Sequence, residues 1–353
     1  MTRYPAQHSL LLLIGPGHPI GGFGPDESTS GWQTMPLSAL GAALEPATPA
    51  TQRLDLIVAQ APLLGNLDVA AALAEAADYL VAAPDQIWQL NLAERILPLL
   101  SGVNRANPQA VARTILNSYD SAVGALGGNR ARSLAVYDLS QALNARGALE
   151  TLGRALEEDL QQNAAGTQAL LDQLPTTVQV YDSSANGMLN MLSTPSGVQN
   201  AREDALFDAD EAAQQIAESA LVSETSRNAA TELRAALSGS TPLIIAQIQR
   251  SGIGVHGQQI DLSGESAISL FLPAPSRLGQ QDTLSYLALY AGSGWEGEWN
   301  DFLRTYLAPH PAGGVGGITV GPAGNPYFLP PSGGIIGLDL WLPLVGKVAA
   351  AEE

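Results

Sequence analysis

LDLIVAQAPLLGNLDVAAALAEAADY, residues 54–79, decides how this chain reads. Its opening, residues 54–59, is a short apolar run of the kind that fills a strand buried on both faces. From Asn66 onward, Leu67, Ala70, Ala71, Leu73, Ala74 and Ala77 recur at helical spacing, which predicts a helix over 66–79 packed on that strand. Between the two, Gln60-Ala61-Pro62-Leu63-Leu64-Gly65 makes a tight turn at the carboxyl end of the strand. In an open α/β sheet that is the end where ligands bind and catalytic groups sit. The turn holds no ionisable side chain.

The rest of the composition narrows the function classes. The chain has 353 residues, 46% hydrophobic with few aromatics, enough for one large domain or two and suited to a helix-rich α/β protein. Its formal net charge is −18, with 16 Lys+Arg and a single lysine, Lys347. That balance argues against nucleic acid or an anionic membrane surface as a partner. There is no cysteine, so disulfides, thiolate metal sites and thiol nucleophiles are excluded. His8, His18, His256 and His310 are far apart, and neither a metal-spaced cluster nor a GxSxG elbow occurs. The sequence therefore predicts no metal and no cofactor. No apolar run reaches the ~18 residues of a membrane span, and the run at 10–14 is too short for an export signal.

Outward from the deciding stretch, residues 9–14 (SLLLLI) read as a second buried strand. The ten residues that follow are so rich in glycine and proline that no regular structure is expected there. His18, inside that loop, is its one group able to do acid–base chemistry near neutral pH. Asp26, Glu27 and Ser28 close the loop, and Pro36 suits the first position of a helix over 37–44. Residues 80–85 read as a strand ending at Asp85. Helices follow over 90–100 and 108–123, the latter opened by Asn107-Pro108. A strand at 133–137 leads to Asp138, which caps a long helix reaching Gln162, with Leu139, Leu143, Leu149, Leu152 and Leu156 on its apolar face. Alternating strands and helices predict a parallel α/β sheet flanked by helices.

Later signals are weaker. Residues 202–237 read as helix with a break near Ser223, and 243–249 and 266–272 as strands. Trp295, Trp299, Phe302, Leu303 and Tyr306 recur as on a docked core helix. The Gly/Pro-rich stretch 311–331 reads as a linker and 337–345 as an apolar tail. Three regions result: an α/β core at 1–175, a helical and strand extension at 176–309, and the linker and tail at 310–353.

Two blocks of this sequence resemble the clostripain family of caspase-like cysteine peptidases. LLLIGPGHPIGGFGPDESTSG (residues 11–31) is similar to the family's LILWDHGGGWxGFGxDExSG. LDLIVAQAPLLGNLDVAAALAEAADYLVAAPD (residues 54–85) is similar to its LDLIGFDACLMGxLEVAYELxxxAxYLVASE. Weaker likeness continues in SLAVYDLS (133–140), AISLFLP (267–273) and GWEGEWNDFLRTYL (294–307).

The resemblance implies a caspase-like sheet whose first strands, in family order, are lacking here. It also implies that Pro16 stands in the histidine slot, Pro62 in the cysteine slot, and Gln60 where an aspartate helps hold a basic P1 side chain. Ile14 replaces a tryptophan, and Ala83-Pro84 replaces Ser-Glu. Gly22-Phe23-Gly24, Asp26-Glu27, Gly31, Gly65 and Tyr79 match. The expectation is a catalytically inactive peptidase homologue, with a cleft bordered by Gln60, His18, Asp26 and Asp85 that could take a peptide or protein ligand. The alternatives are an active hydrolase using His18 as a relocated base, with Asp26 or Asp85 and a serine such as Ser28, or a non-functional fragment. The family also implies secretion.

Overall fold

The structure is a computed structural model that describes residues 7–26, 33–44, 53–100, 107–181, 205–274, 290 and 294–308. The expected linker at 311–331, the tail at 337–345, and Glu27 and Ser28 lie outside the described residues. Strand β1 (Leu10–Ile14) leads into a small antiparallel sheet of β2 (Gly17–His18), β3 (Gly22–Asp26) and β4 (Gln33–Met35). That corrects the expectation of an irregular loop. Gly22 and Gly24, at φ 87° and 59°, take the left-handed turns that let so short a ladder close.

Helix α1 (Leu37–Leu44) precedes strand β5 (Leu54–Gln60), which pairs in parallel with β1 from Leu10↔Leu56 to Ile14↔Gln60. The two strands thus end level, and the segments holding Pro16 and Pro62 leave the same end of the sheet. Helix α2 (Leu67–Ala72) is shorter than the helix expected over 66–79, because strand β6 (Ala77–Ala82) already begins at Ala77. Leu54↔Ala77 and Leu56↔Tyr79 pair in parallel. Leu73, Ala74 and Ala76 are buried in the connecting turn, so apolar spacing alone could not separate turn from helix.

Helices α3 (Leu92–Leu99) and α4 (Pro108–Ala125) come before β7 (Arg132–Asp138), which is antiparallel to β6 with Val81↔Val136. The expected α/β sheet flanked by helices is present, parallel from β1 through β5 to β6 and antiparallel at β7. One helix returns a chain to the end where strands start, whereas two consecutive helices bring it back to the end it left. A 3₁₀ turn at Leu139–Gln141, capped by Asp138, opens helix α5 (Ala142–Gln162). Ala145, Leu149, Leu152 and Leu156 form its buried stripe. Leu143, expected there, is 56% exposed because two residues of helix place it opposite Ala145.

The chain continues through α6 (Ala164–Thr177), β8 (Val180–Tyr181), β9 (Leu206–Asp208), α7 (Ala209–Glu218) and α8 (Glu224–Ser238). Ser223 caps α8 by accepting from Ser226 N at 3.2 Å, at the expected break. Strand β10 (Ile244–Arg250) completes the central order β1-β5-β6-β7-β10 and runs antiparallel to β7. Short strands β11 (Gly252–Ile253), β12 (Gln259–Ile260) and β13 (Ser269–Phe271) follow; β13 and β8 flank β9 in a second small sheet. Helix α9 (Glu298–Leu307) buries Trp299, Phe302, Leu303 and Tyr306 as expected, while Trp295 is buried just before it.

The central sheet is covered on both faces. Leu12, Leu56, Val58, Val81, Leu134 and Val136 meet Ile96, Val111, Ile115 and Tyr119 of α3 and α4. Leu11, Leu13, Ile57, Ala59, Leu80 and Tyr137 face the other way, against α2, α5 and the C-terminal elements. This alternation along buried strands makes a three-layer α/β sandwich. Among the described residues, no helix is long and apolar enough to cross a membrane.

Candidate functional site

The strand ends of β1, β5 and β6 carry the residues that the sequence singled out. After β5 the chain turns sharply: Leu63 sits at φ 63°, a left-handed conformation that costs a branched side chain about 1–2 kcal/mol. Packing and hydrogen bonds hold it there. Leu63 is fully buried, its N–H donates to Asp85 O at 3.1 Å, and Gly65 N–H donates to Ala83 O at 2.7 Å. Gly65 has no room for a side chain, since a Cβ would stand 2.5 Å from Tyr137 Oη and 2.6 Å from Pro84 N. Asn66 then caps α2 by accepting from Asp68 N at 2.9 Å.

The helix that follows is anchored by charge. Asp68 is buried and meets Arg146 Nε at 2.9 Å, and Tyr290 Oη donates to its other oxygen at 3.1 Å. Burial raises the Asp68 carboxyl above its ordinary range, against the pull of Arg146 and Tyr290. The turn is therefore fixed on both sides.

Pro62, half-buried, lies at the apex of this turn, and Pro16, also half-buried, lies two residues beyond the level end of β1. Gly15 N–H donates to Gln60 O at 3.4 Å, and Gly17 packs directly on Ala61 and Leu64. The loop after β1 and the turn after β5 are thus in contact, through apolar atoms. Gln60 closes the end of β5, and its side-chain amide donates to Leu90 O.

His18 is fully buried within β2, with Nδ1 accepting from Ile20 N and Gly21 N, both at 3.2 Å. Two donors into Nδ1 place the ring proton on Nε2. Protonating Nδ1 would break both bonds. Trp295 Nε1 donates to Pro19 O at 3.2 Å and pins the same loop, a contact across the chain that sequence spacing could not reveal. The backbone of Asp26 ends β3, opposite Gln33. Asp85 is buried just past β6, with its carbonyl on the Leu63 amide. So Pro16, Pro62, Gln60 and Asp85 gather at one sheet end, and His18 lies in the loop beside them.

Sequence reading missed a second set of groups at the same end. Glu265 is 3% exposed, and the Ser133 and Tyr181 hydroxyls lie beside its carboxyl. Asp208 is fully buried: it caps α7, accepts from Tyr181 Oη at 2.7 Å, and accepts from Ser266 N and Oγ at 2.6 and 2.8 Å. Burial raises its carboxyl, although these donors oppose the shift. The one available signal was an Asp before a helix start, which reads only as a cap. Among the described residues, no group of three His, Asp or Glu is placed to hold a metal ion.

A mixed, mostly parallel sheet with helices on both faces defines a caspase-like α/β protein. The profile of the clostripain family, peptidase C11, matches residues 22–282, and the chain belongs to that family. No curated protein matches it.

Two solved structures share its fold. A secreted C11 cysteine protease from Bacteroides thetaiotaomicron, in complex with an irreversible peptide inhibitor, is 16% identical. That alignment covers 84% of this chain and 74% of the other, at a TM-score of 0.50. An inactive zymogen C11 protease from Parabacteroides distasonis is 17% identical, with 84% and 72% covered and a TM-score of 0.51.

Proposed function

We propose that this protein is a non-catalytic member of the clostripain family, a peptidase scaffold that holds peptides at its strand ends without cutting them. The observation that carries the reading is the pair of prolines at the level ends of β1 and β5, in a chain that has no cysteine. Proline has neither a nucleophile nor a transferable proton. Losing the nucleophile or base alone costs on the order of 10⁶ in turnover in triad enzymes, and both slots are changed here. At the pocket slot an amide replaces a carboxylate, which removes the fixed charge a basic P1 side chain would seek.

Support for a retained binding face comes from the neighbouring fold, since the Bacteroides protease carries a peptide inhibitor. Acting as a relocated base through Nδ1 would cost His18 the two hydrogen bonds that this nitrogen accepts from backbone amides. Export belongs to the same reading and is tested by locating the protein in cell and culture fractions. The functional test is a panel of fluorogenic arginyl, lysyl and neutral peptides, followed for release of the fluorophore and, by anisotropy, for binding. The expected result is saturable binding with no release. Release that disappears in His18→Ala would replace this reading with the relocated-base hydrolase.

A further inference from the structure

The buried acids behind the strand-end turn are tied to it by one short segment. Neither oxygen of Glu265 has a hydrogen-bond partner within normal distance. The charged groups facing it are Asp208, at the end of β9, and Asp85, past β6; Tyr181 of β8 and Tyr137 of β7 are the other titratable groups around it. Its own chain then runs straight to the turn. Ser266 donates twice to Asp208, and Ala267 sits at φ 60° with its carbonyl accepting from Tyr137 Oη. Ile268 O accepts from Ala209 N at 2.9 Å. Ser269 N donates to Gly65 O at 2.8 Å, and Asn66 Nδ2 donates to Ser269 Oγ at 3.1 Å.

We propose that residues 265–269 form a proton-operated strap. With Glu265 protonated, the strap holds the turn at 60–66 closed against β6 and β7. With Glu265 ionised, its repulsion from Asp208 and Asp85 loosens the strap and frees the turn. The left-handed alanine in the middle of the strap favours release, since that conformation persists only while its neighbours hold it.

Burial above all, and then the two acids, push the Glu265 carboxyl up to about 8, against the pull of the Ser133 and Tyr181 hydroxyls. A loosened strap exposes the carboxyl to water, where its ordinary value is 4.5. The closed form is therefore fully favoured below pH 4.5, loses ground as pH rises, and levels off above about 8. The population of the open form rises by up to about tenfold per pH unit in that window. Control of ligand access rests on reading the strand ends as the binding face; the motion itself does not.

Hydrogen exchange on the full chain from pH 5 to 9, corrected for the pH dependence of exchange chemistry, tests the strap. The amides of Gly65 and Ser269 should lose protection by several-fold per pH unit up to about 8, while Leu152 and Leu156 in α5 hold theirs. Glu265→Gln should flatten the slope and keep the protection. A flat profile in the unmodified chain, an equal slope in α5, or an unchanged slope in Glu265→Gln would each overturn the proposal. Should that variant fail to fold, the carboxyl ¹³C titration of Glu265 in the unmodified chain decides. A midpoint matching the exchange curve supports the strap, and one near 4.5 removes it. Peptide affinity that stays constant while the exchange slope is present keeps the strap and removes the binding-face reading.

Discussion

The two halves of the strand-end face differ in kind. On the side of β1 and β5, where the family places its reactive pair, Pro16 and Pro62 leave level strand ends and the loops meet through Gly17, Ala61 and Leu64. On the side of β6, β7 and β9, Asp85, Glu265 and Asp208 are buried together, with burial raising the last two carboxyls. The first side carries no ionisable group at either proline, and the second packs titratable groups together. The turn between β5 and α2 is tightly built: Leu63 takes a left-handed conformation, Gly65 leaves no room for a side chain and Asn66 caps the helix. The first half is built on shape, and the second on buried titratable groups.

If the first half is built on shape, its least tolerant position should be Gly65. A methyl group there meets Tyr137 Oη and the backbone of Ala83 and Pro84 at 2.5–2.7 Å, and backbone cannot move aside cheaply. Gly65→Ala should cost about 3 kcal/mol or more, read as a lowered urea midpoint at unchanged slope. A loss below 1 kcal/mol would mean that β5 and β6 are not locked together at the turn.

In the charged half the largest effect should come from Asp208. Replacing it with alanine removes the α7 cap and strands the Ser266 amide and Tyr181 hydroxyl, together about 3 kcal/mol. Pro62→Ala, in the other half, should stay within about 1 kcal/mol, because Pro62 is half-buried and has no amide hydrogen to lose. Equal costs at the two positions would erase the contrast between the halves.

Glu265→Gln sharpens the comparison through pH. The folded-state value of about 8 lies above the ordinary 4.5, so the stability of the unmodified chain should be highest near pH 4.5 and fall until about pH 8. The variant lacks this loss and should be more stable at pH 8, by an amount on the order of 3–4 kcal/mol, while the two match near pH 5. Asp208 and Asp68 are shifted in the same direction, so a shallow slope should survive in the variant. Denaturation midpoints taken across that range give the answer directly.

Much of this layout was legible in the sequence, and the rest was hidden for physical reasons. The apolar runs at 9–14, 54–59 and 133–137 mark buried strands because both faces of the sheet are covered. Strand direction is not written in such runs: SLAVY reads the same either way, and only the two helices before β7 set it antiparallel. The ladders β2, β8 and β9 are two or three residues long, below the length at which alternation is visible. The positions of Pro16, Pro62 and Gln60 were readable because strand-end register is local. Glu265 was not, since its burial depends on Asp85, Ser133, Tyr181 and Asp208, which lie between 57 and 180 residues away along the chain.

The smallest expected effect is the one that bears most on catalysis. Pro62→Cys puts a thiol at the apex of the turn after β5, and no turnover of arginyl or lysyl peptides should follow. A thiol without a partner is mostly protonated near pH 7, given an ordinary value of about 8.5. The histidine in the neighbouring loop is buried with its Nδ1 already bound to Ile20 N and Gly21 N, so recruiting that nitrogen would cost two hydrogen bonds. Adding Pro16→His supplies the base, and adding Gln60→Asp supplies the pocket charge. The triple variant is therefore the measure of how far the shape kept in this half is still that of a peptidase. Turnover in the triple variant alone would show a preserved scaffold. Turnover in the single Pro62→Cys variant, lost again on His18→Ala, would mean that the loop histidine is freer than its two amide bonds imply.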